Sequence, residues 1–120
     1  MGYKRDSRMA AYARYLHGRR LFVSFQTVAE LDRWMLARVW GEPRRAALEA
    51  YLVDFVTAYA DRNMCRLWAQ VMDNARRQGR PIAVGDAWVA ATALLFGLPL
   101  VTHNHRHYAG VDGLVVVSES

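Results

Sequence analysis

Apolar positions along the chain alternate between helical and extended spacing, and the order of those patterns outlines the fold. Met9, Tyr12, Ala13 and Leu16 recur at helical spacing over residues 6–17, and Gly18 ends the run. Leu21-Phe22-Val23-Ser24-Phe25 has the composition of a strand. Thr27 and Glu30, three apart, then open an apolar-periodic helix through Leu31, Trp34, Met35, Val39 and Trp40. Gly41-Glu42-Pro43 breaks the pattern, and Pro43 suits the first turn of a new helix reaching about Phe55, with Leu48, Tyr51, Leu52 and Phe55 on one face. Val56-Thr57-Ala58-Tyr59 reads as a short strand. Asp61 is a suitable N-cap for a helix through Met64, Leu67, Trp68, Val71 and Met72 that ends near Gly79.

In the run from Gly85 to Gly97, Asp86 opens a helix whose alanines leave one side thin enough to lie close on a sheet. Gly97 stops it just before the apolar Leu98-Pro99-Leu100-Val101. Leu114-Val115-Val116-Val117 is the last strand, continuous enough in apolar character to be buried on both faces. Helices separate nearly every strand from the next, which predicts parallel strands joined by helical crossovers in a three-layer α/β/α domain. With 120 residues and no internal repeat, low-complexity tract or linker, the expectation is a single domain over 1–120.

Composition adds limits. Just over half of the residues are apolar, which argues against disorder. The net charge of +5 is carried mostly by arginine, Lys4 being the one lysine, and arginine's bidentate pairing with phosphate makes a polyanionic partner plausible, although solubility alone also explains the excess. Cys65 as the single cysteine excludes an internal disulfide and a cysteine-built zinc site, and reads as a buried structural thiol. No apolar run is long enough to span a bilayer, and residues 1–6 contain no apolar signal core, so the expected location is the cytoplasm.

Glu30 and Asp86 are the candidate chemical residues. Each is expected in the first turn of a helix at the C-terminal rim of the sheet, where the helix N-terminus favours a charged carboxylate and a hard divalent cation finds oxygen donors. Mg²⁺ or Mn²⁺ held this way activates water and offsets charge building up on a phosphate. The alternative is purely structural: Glu30 completes a Thr-x-x-Glu capping box, and Asp86 caps a helix. Spacing does not separate the two readings. His103, His105 and His107 alternate and would share a face if extended, but no fourth ligand lies nearby and a solvated or RNA-facing loop accounts for them. Trp34, Trp40, Trp68 and Trp88 read as core or interface residues.

Ser24-Phe25-Gln26-Thr27-Val28-Ala29-Glu30-Leu31, Gly79-Arg80-Pro81-Ile82 leading to Asp86-Ala87-Trp88-Val89-Ala90-Ala91-Thr92-Ala93, Gly97-Leu98-Pro99-Leu100-Val101-Thr102-His103-Asn104 and Gly113-Leu114-Val115-Val116-Val117 together resemble the successive signatures of PIN domains, most closely the VapC-type toxins of bacterial toxin-antitoxin pairs. The likeness runs from about Asp6 to the C-terminus in the family's order and spacing. It implies a metal-dependent endoribonuclease with acidic residues on Mg²⁺ or Mn²⁺, neutralised by a cognate antitoxin. By position, the family's second acidic residue falls on Glu30, its third on Asp86, and its fourth site on Asn104, whose amide oxygen would bind or orient a metal-bound water. His107-Tyr108 stands where the family often has an acidic residue before an aromatic.

The sequence departs from the family at its start. PIN domains begin with a strand ending in an Asp-Thr-Asn-like turn, which supplies the central strand and the first metal carboxylate; residues 1–5 match neither, and Asp6 resembles the residue after the family's first helix. By comparison with typical βα spacing the expectation is that about fifteen residues are missing, through a misplaced start or an N-terminal deletion. Two consequences are expected: weaker cation binding, and two strands left with unpaired backbone that must close up, pair with another chain or loosen the domain. Arg106, with Arg19, Arg20, Arg76, Arg77 and Arg80, could line a path for the RNA backbone, a solvated surface position being the default for each. Apolar surface on the helices around Trp34–Trp40 and after Pro43 exceeds what one core needs, and a homodimer face or an antitoxin groove is the expected use. Two functions are therefore expected to compete: an RNA-cleaving toxin, and a catalytically silent, truncated module that binds RNA or an antitoxin.

Overall fold

The computed structural model describes residues 21–38, 41–53 and 55–118. The expected helix over 6–17, the departure at the N-terminal start, Arg19, Arg20, Val39 and Trp40 lie outside the described residues. The elements in order are β1 (Phe22–Ser24), α1 (Phe25–Ala37), α2 (Glu42–Leu52), β2 (Val56–Ala58), α3 (Arg62–Arg77), α4 (Val84–Phe96), β3 (Leu100–Val101), a 3-10 turn (His105–Tyr108) and β4 (Val116–Val117).

β1 runs into α1 without a loop because Ser24 serves both elements. Its extended backbone ends the strand opposite Ala58, and its hydroxyl accepts the Gln26 amide at 3.1 Å. The helix thus begins at Phe25, ahead of the expected start at Thr27, and Ser24 takes the capping role assigned to Thr27. α2 begins as expected, with Gly41 as its N-cap and Pro43 in its first turn, but stops at Leu52 instead of Phe55. Pairing with β1 requires the earlier exit, since Val56 N–H already donates to the Leu21 carbonyl at 2.9 Å. Met35 and Leu48 are buried between these two helices, with Leu31, Trp34 and Leu52 around them.

Asp61 caps α3 as expected, accepting the Met64 amide at 2.8 Å. Met64, Val71 and Ala75 form the buried stripe of that helix. α4 lies at the centre of the molecule. Ala87 and Ala90 pack with Val71, Ala75, Ile82 and Tyr108, while Ala91 packs with Ala58 and Met64, so the alanine surface admits α3 as well as the strand layer. Trp88 stacks on Trp68 at 5.0 Å between ring centroids and meets Phe25 edge-on at 5.3 Å, as core packing predicts. Gly97 ends α4 at φ 63°, a left-handed conformation that costs glycine nothing. Cys65 is a free thiol and half-buried rather than fully enclosed.

Every strand pairing among the described residues is parallel, as the alternation of elements predicts. β1 pairs with β2 from Phe22↔Val56 to Ser24↔Ala58, and β3 pairs with β4 at Leu100↔Val116 and Val101↔Val117. Among those residues the strands form two separate two-stranded sheets rather than one. β4 is shorter than expected and not buried on both faces: Val116 and Val117 are half-buried and Val115 is exposed. Among the described residues β4 pairs only with β3, so its apolar run is not sandwiched. No helix among the described residues is long and apolar enough to cross a membrane.

Candidate active site

Asp86 is the third residue of α4, whose N-cap is Ala83 and makes no side-chain capping bond. Two contacts fix where α4 begins: Ile82 is buried just before it, and the Trp68 indole N–H donates to the Val84 carbonyl at 3.4 Å. The Asp86 carboxylate does not cap its helix. Its Oδ1 accepts from the Tyr108 hydroxyl at 3.3 Å, and its Oδ2 lies 3.2 Å from Nδ1 of His107.

Glu30 sits a turn inside α1, not in the first turn, so it belongs to no capping box. Its Oε2 accepts from Nε2 of Gln26, one helical turn earlier, at 3.2 Å. Neither acid caps a helix, because α1 begins at Phe25 behind Ser24 and α4 at Val84 behind Ala83. Gly85, next to Asp86, connects them: a Cβ at that position would lie 3.3 Å from Glu30 Oε2 and 2.9 Å from Gln26 Nε2. The bare backbone of Gly85 is therefore the cradle that lets the Glu30 side chain reach the start of α4.

Tyr108 senses both acids. Burial, then the charge and hydrogen bond of Asp86, then the charge of Glu30, push its hydroxyl far above the ordinary tyrosine range, so it stays protonated and donates. The loop that carries it is held by Gly110, where a Cβ would come within 2.5 Å of the Arg80 carbonyl oxygen. That close approach brings Arg80 and Arg106 to one open cavity of about 480 Å³, shared with Asp86 and His107. Arg76 and Arg77 are engaged elsewhere, each 2.9 Å from the Asp73 carboxylate on α3.

Asn104 precedes the 3-10 turn, with its backbone N–H on Thr102 Oγ1 at 3.0 Å and its carbonyl accepting the His107 amide at 2.9 Å. No hydrogen bond joins its side chain to either carboxylate among the described residues. The alternating histidines do not share an extended face: the 3-10 turn at His105–Tyr108 takes His105 to Ser118 at 3.4 Å and His107 to Asp86. Among the described residues no three His, Cys, Asp or Glu side chains converge as metal ligands. Two carboxylates over a glycine cradle still suit Mg²⁺ or Mn²⁺, which takes one or two protein carboxylates and completes its shell with water and substrate phosphate.

These elements and their order recur in known proteins. The family model described as "PIN domain" matches residues 2–113. The chain belongs to the PIN domain family. Over 101 residues this PIN domain is 31% identical to Ribonuclease VapC5 of Mycobacterium tuberculosis, covering 82% of this chain and 73% of that protein. Over 95 residues it is 30% identical to Ribonuclease VapC1 of Haemophilus influenzae, covering 79% and 71%. Its fold superimposes on a chain in the structure of VapBC-1 from nontypeable Haemophilus influenzae with a TM-score of 0.78 and 26% identity, over 95% of this chain and 86% of that one. A chain of Rickettsia felis VapBC2 bound to a promoter DNA fragment matches with a TM-score of 0.84 at 16% identity, over 98% and 89%, a likeness of fold. The three-layer α/β/α architecture is thus that of a PIN domain.

Gln26 and Gly85 are site residues to which sequence reasoning gave no role, and Tyr108 was noted there only for its place beside His107 in the family pattern. Gln26 carried a usable signal, since it lies four residues before Glu30 on one helical face. Gly85 carried none, and nothing in the sequence joined Tyr108 to Asp86, because both contacts cross between elements.

Proposed function

We propose that this PIN domain is a metal-dependent endoribonuclease, the toxin of a VapBC-type toxin-antitoxin pair, hydrolysing RNA phosphodiesters in the cytoplasm. The approach of Glu30 Oε2 to the Gly85 backbone, one residue before Asp86, carries the reading. These two carboxylates are the cation ligands in this reading, and Asn104, just before the 3-10 turn that carries His107 and Tyr108, is a supporting polar ligand. A bound Mg²⁺ or Mn²⁺ supplies charge neutralisation at the phosphate and lowers the pKa of water. Arg80 and Arg106, on the walls of the cavity that Asp86 also lines, attract RNA phosphates and hold a phosphodiester beside the Asp86 carboxylate. The names of the relatives, Ribonuclease VapC1 and Ribonuclease VapC5, support the substrate class, and the VapBC complexes among the structural neighbours support an antitoxin partner.

Leu36 on α1 and Val53 just after α2, 67% and 77% exposed, supply apolar surface for that antitoxin or for a second copy in a homodimer. One observation favours a competing function, a catalytically silent module that binds RNA or an antitoxin: among the described residues the acids at the site do not include a third ligand. Cleavage of RNA by the full chain with Mg²⁺ or Mn²⁺, compared with Asp86→Asn and with a chelator, separates the two. The nuclease reading expects cleavage that both the substitution and the chelator abolish. Equal rates for parent and Asp86→Asn remove Asp86 from the mechanism, and RNA binding without cleavage supports the silent module.

A further inference from the structure

The two oxygens of Asp86 are held by donors of different kinds. Tyr108, on Oδ1, is 7% exposed, with its ring in the core cluster of Val71, Ala75, Ile82, Ala87 and Ala90. His107, on Oδ2, has a side chain 56% exposed at the rim of the cavity that also holds Arg80 and Arg106. A phenol anchored in the core cannot leave its partner without opening that core, whereas an exposed imidazole rotates into solvent at little cost. A carboxylate with neither oxygen pinned turns freely about its terminal torsion, which is broad and two-fold.

We propose that Tyr108 is the positioning residue of Asp86, occupying Oδ1 and directing Oδ2 to the cavity as the oxygen that meets a divalent cation, with His107 an exchangeable occupant of Oδ2 and not a ligand. The proposal rests on the cation reading above. The two side chains adjoin in sequence and touch the same carboxylate, yet they have opposite consequences. Loss of the Tyr108 hydroxyl frees the carboxylate to swing and weakens cation binding; loss of the His107 ring removes a competitor for Oδ2 and does not.

Mn²⁺ binding to the full chain, followed by paramagnetic resonance of the free ion, and thermal melting with and without MnCl₂ test this without reference to RNA cleavage. Tyr108→Phe keeps the ring in the core and is expected to weaken Mn²⁺ binding about ten-fold, the scale typical of residues that orient metal ligands. Thr92→Val controls for the loss of a buried hydroxyl: Thr92 Oγ1 bonds the Trp88 carbonyl at 2.8 Å, away from the carboxylates, so melting falls and Mn²⁺ affinity holds. His107→Ala is expected to bind Mn²⁺ at least as tightly as the parent. A Tyr108→Phe chain that binds Mn²⁺ as tightly as the parent overturns the positioning role, and so does weaker binding in His107→Ala, which decides the matter even where Tyr108→Phe does not fold. Absence of Mn²⁺ binding to the parent removes the cation reading and this proposal with it, whereas binding by the parent that Tyr108→Phe leaves intact removes the proposal alone.

Discussion

Gly85→Ala separates the needs of the fold from those of the site. The residue is the second of α4, with no positive φ to demand glycine, so alanine's better helix propensity raises stability by at most about 0.5–1 kcal/mol. In a domain of this size that is a rise in melting temperature of about 2–6 °C. The new methyl meets only the ends of two flexible side chains, Gln26 Nε2 at 2.9 Å and Glu30 Oε2 at 3.3 Å, both short of ordinary contact. The amide must retreat by roughly 0.6 Å and the carboxylate by a few tenths of an ångström to restore contact near 3.5 Å. Glu30 moves away from the start of α4 while the core of Met64, Ala87, Ala90 and Ala91 stays untouched. Displacement on that scale costs a catalytic constellation about 10- to 100-fold in rate. Melting by circular dichroism and RNA cleavage in Mn²⁺ are the paired assays, and the expected result is a chain as stable as the parent or more so, with cleavage reduced by that factor. Undiminished cleavage would refute the claim that Gly85 exists to admit Glu30. A large loss of stability would refute the packing argument instead.

Other expected outcomes follow from the same contacts. Gly110→Ala forces a methyl against the Arg80 carbonyl oxygen at 2.5 Å and against the Cβ atoms of Ala75 and Arg80 at 3.1 Å, so it should destabilise the chain by about 1–3 kcal/mol in urea titrations; a neutral effect would mean that the loop yields freely. Arg80→Ala and Arg106→Ala should each weaken RNA binding and reduce the dependence of log K on log salt by about one unit of slope, measured by fluorescence anisotropy, without changing the melting temperature. Tyr108 has a raised pKa in the folded chain, so its contribution to stability is full below the unfolded value of 10.0 and declines as pH rises above it, because the unfolded phenol ionises first. Urea melts on both sides of that value should show a steeper alkaline loss in the parent than in Tyr108→Phe; parallel profiles would contradict the burial and the Asp86 contact.

Much of the chain's local organisation was legible in its letters. Asp61 as a cap, Pro43 in a first turn, Gly97 as a stop and the amphipathic period from Met64 to Val71 each act within a few residues, so local chemistry decides them. Glu30 and Asp86 could likewise be picked out as acids near helix starts. What could not be read was which role they play, because Ser24 and Thr27 are both competent caps. The choice falls to Ser24 since β1 must end opposite Ala58, a pairing with a strand more than thirty residues away. α2 is cut short for the same reason, and β4 loses its second covered face because burial depends on neighbours that a run of valines does not name.

The sequence by itself therefore determined the elements, their parallel order and two acidic residues, all settled by short-range sterics, hydrogen bonding and apolar periodicity. Only the tertiary structure decided that a bare backbone at Gly85 lets Glu30 reach the start of α4, and that a core phenol and a rim imidazole divide the Asp86 oxygens between them. Those facts depend on distances between segments far apart in the chain, and such distances are set by how Gly110, Ala87 and Ala90 allow the segments to close, not by the spacing of any motif.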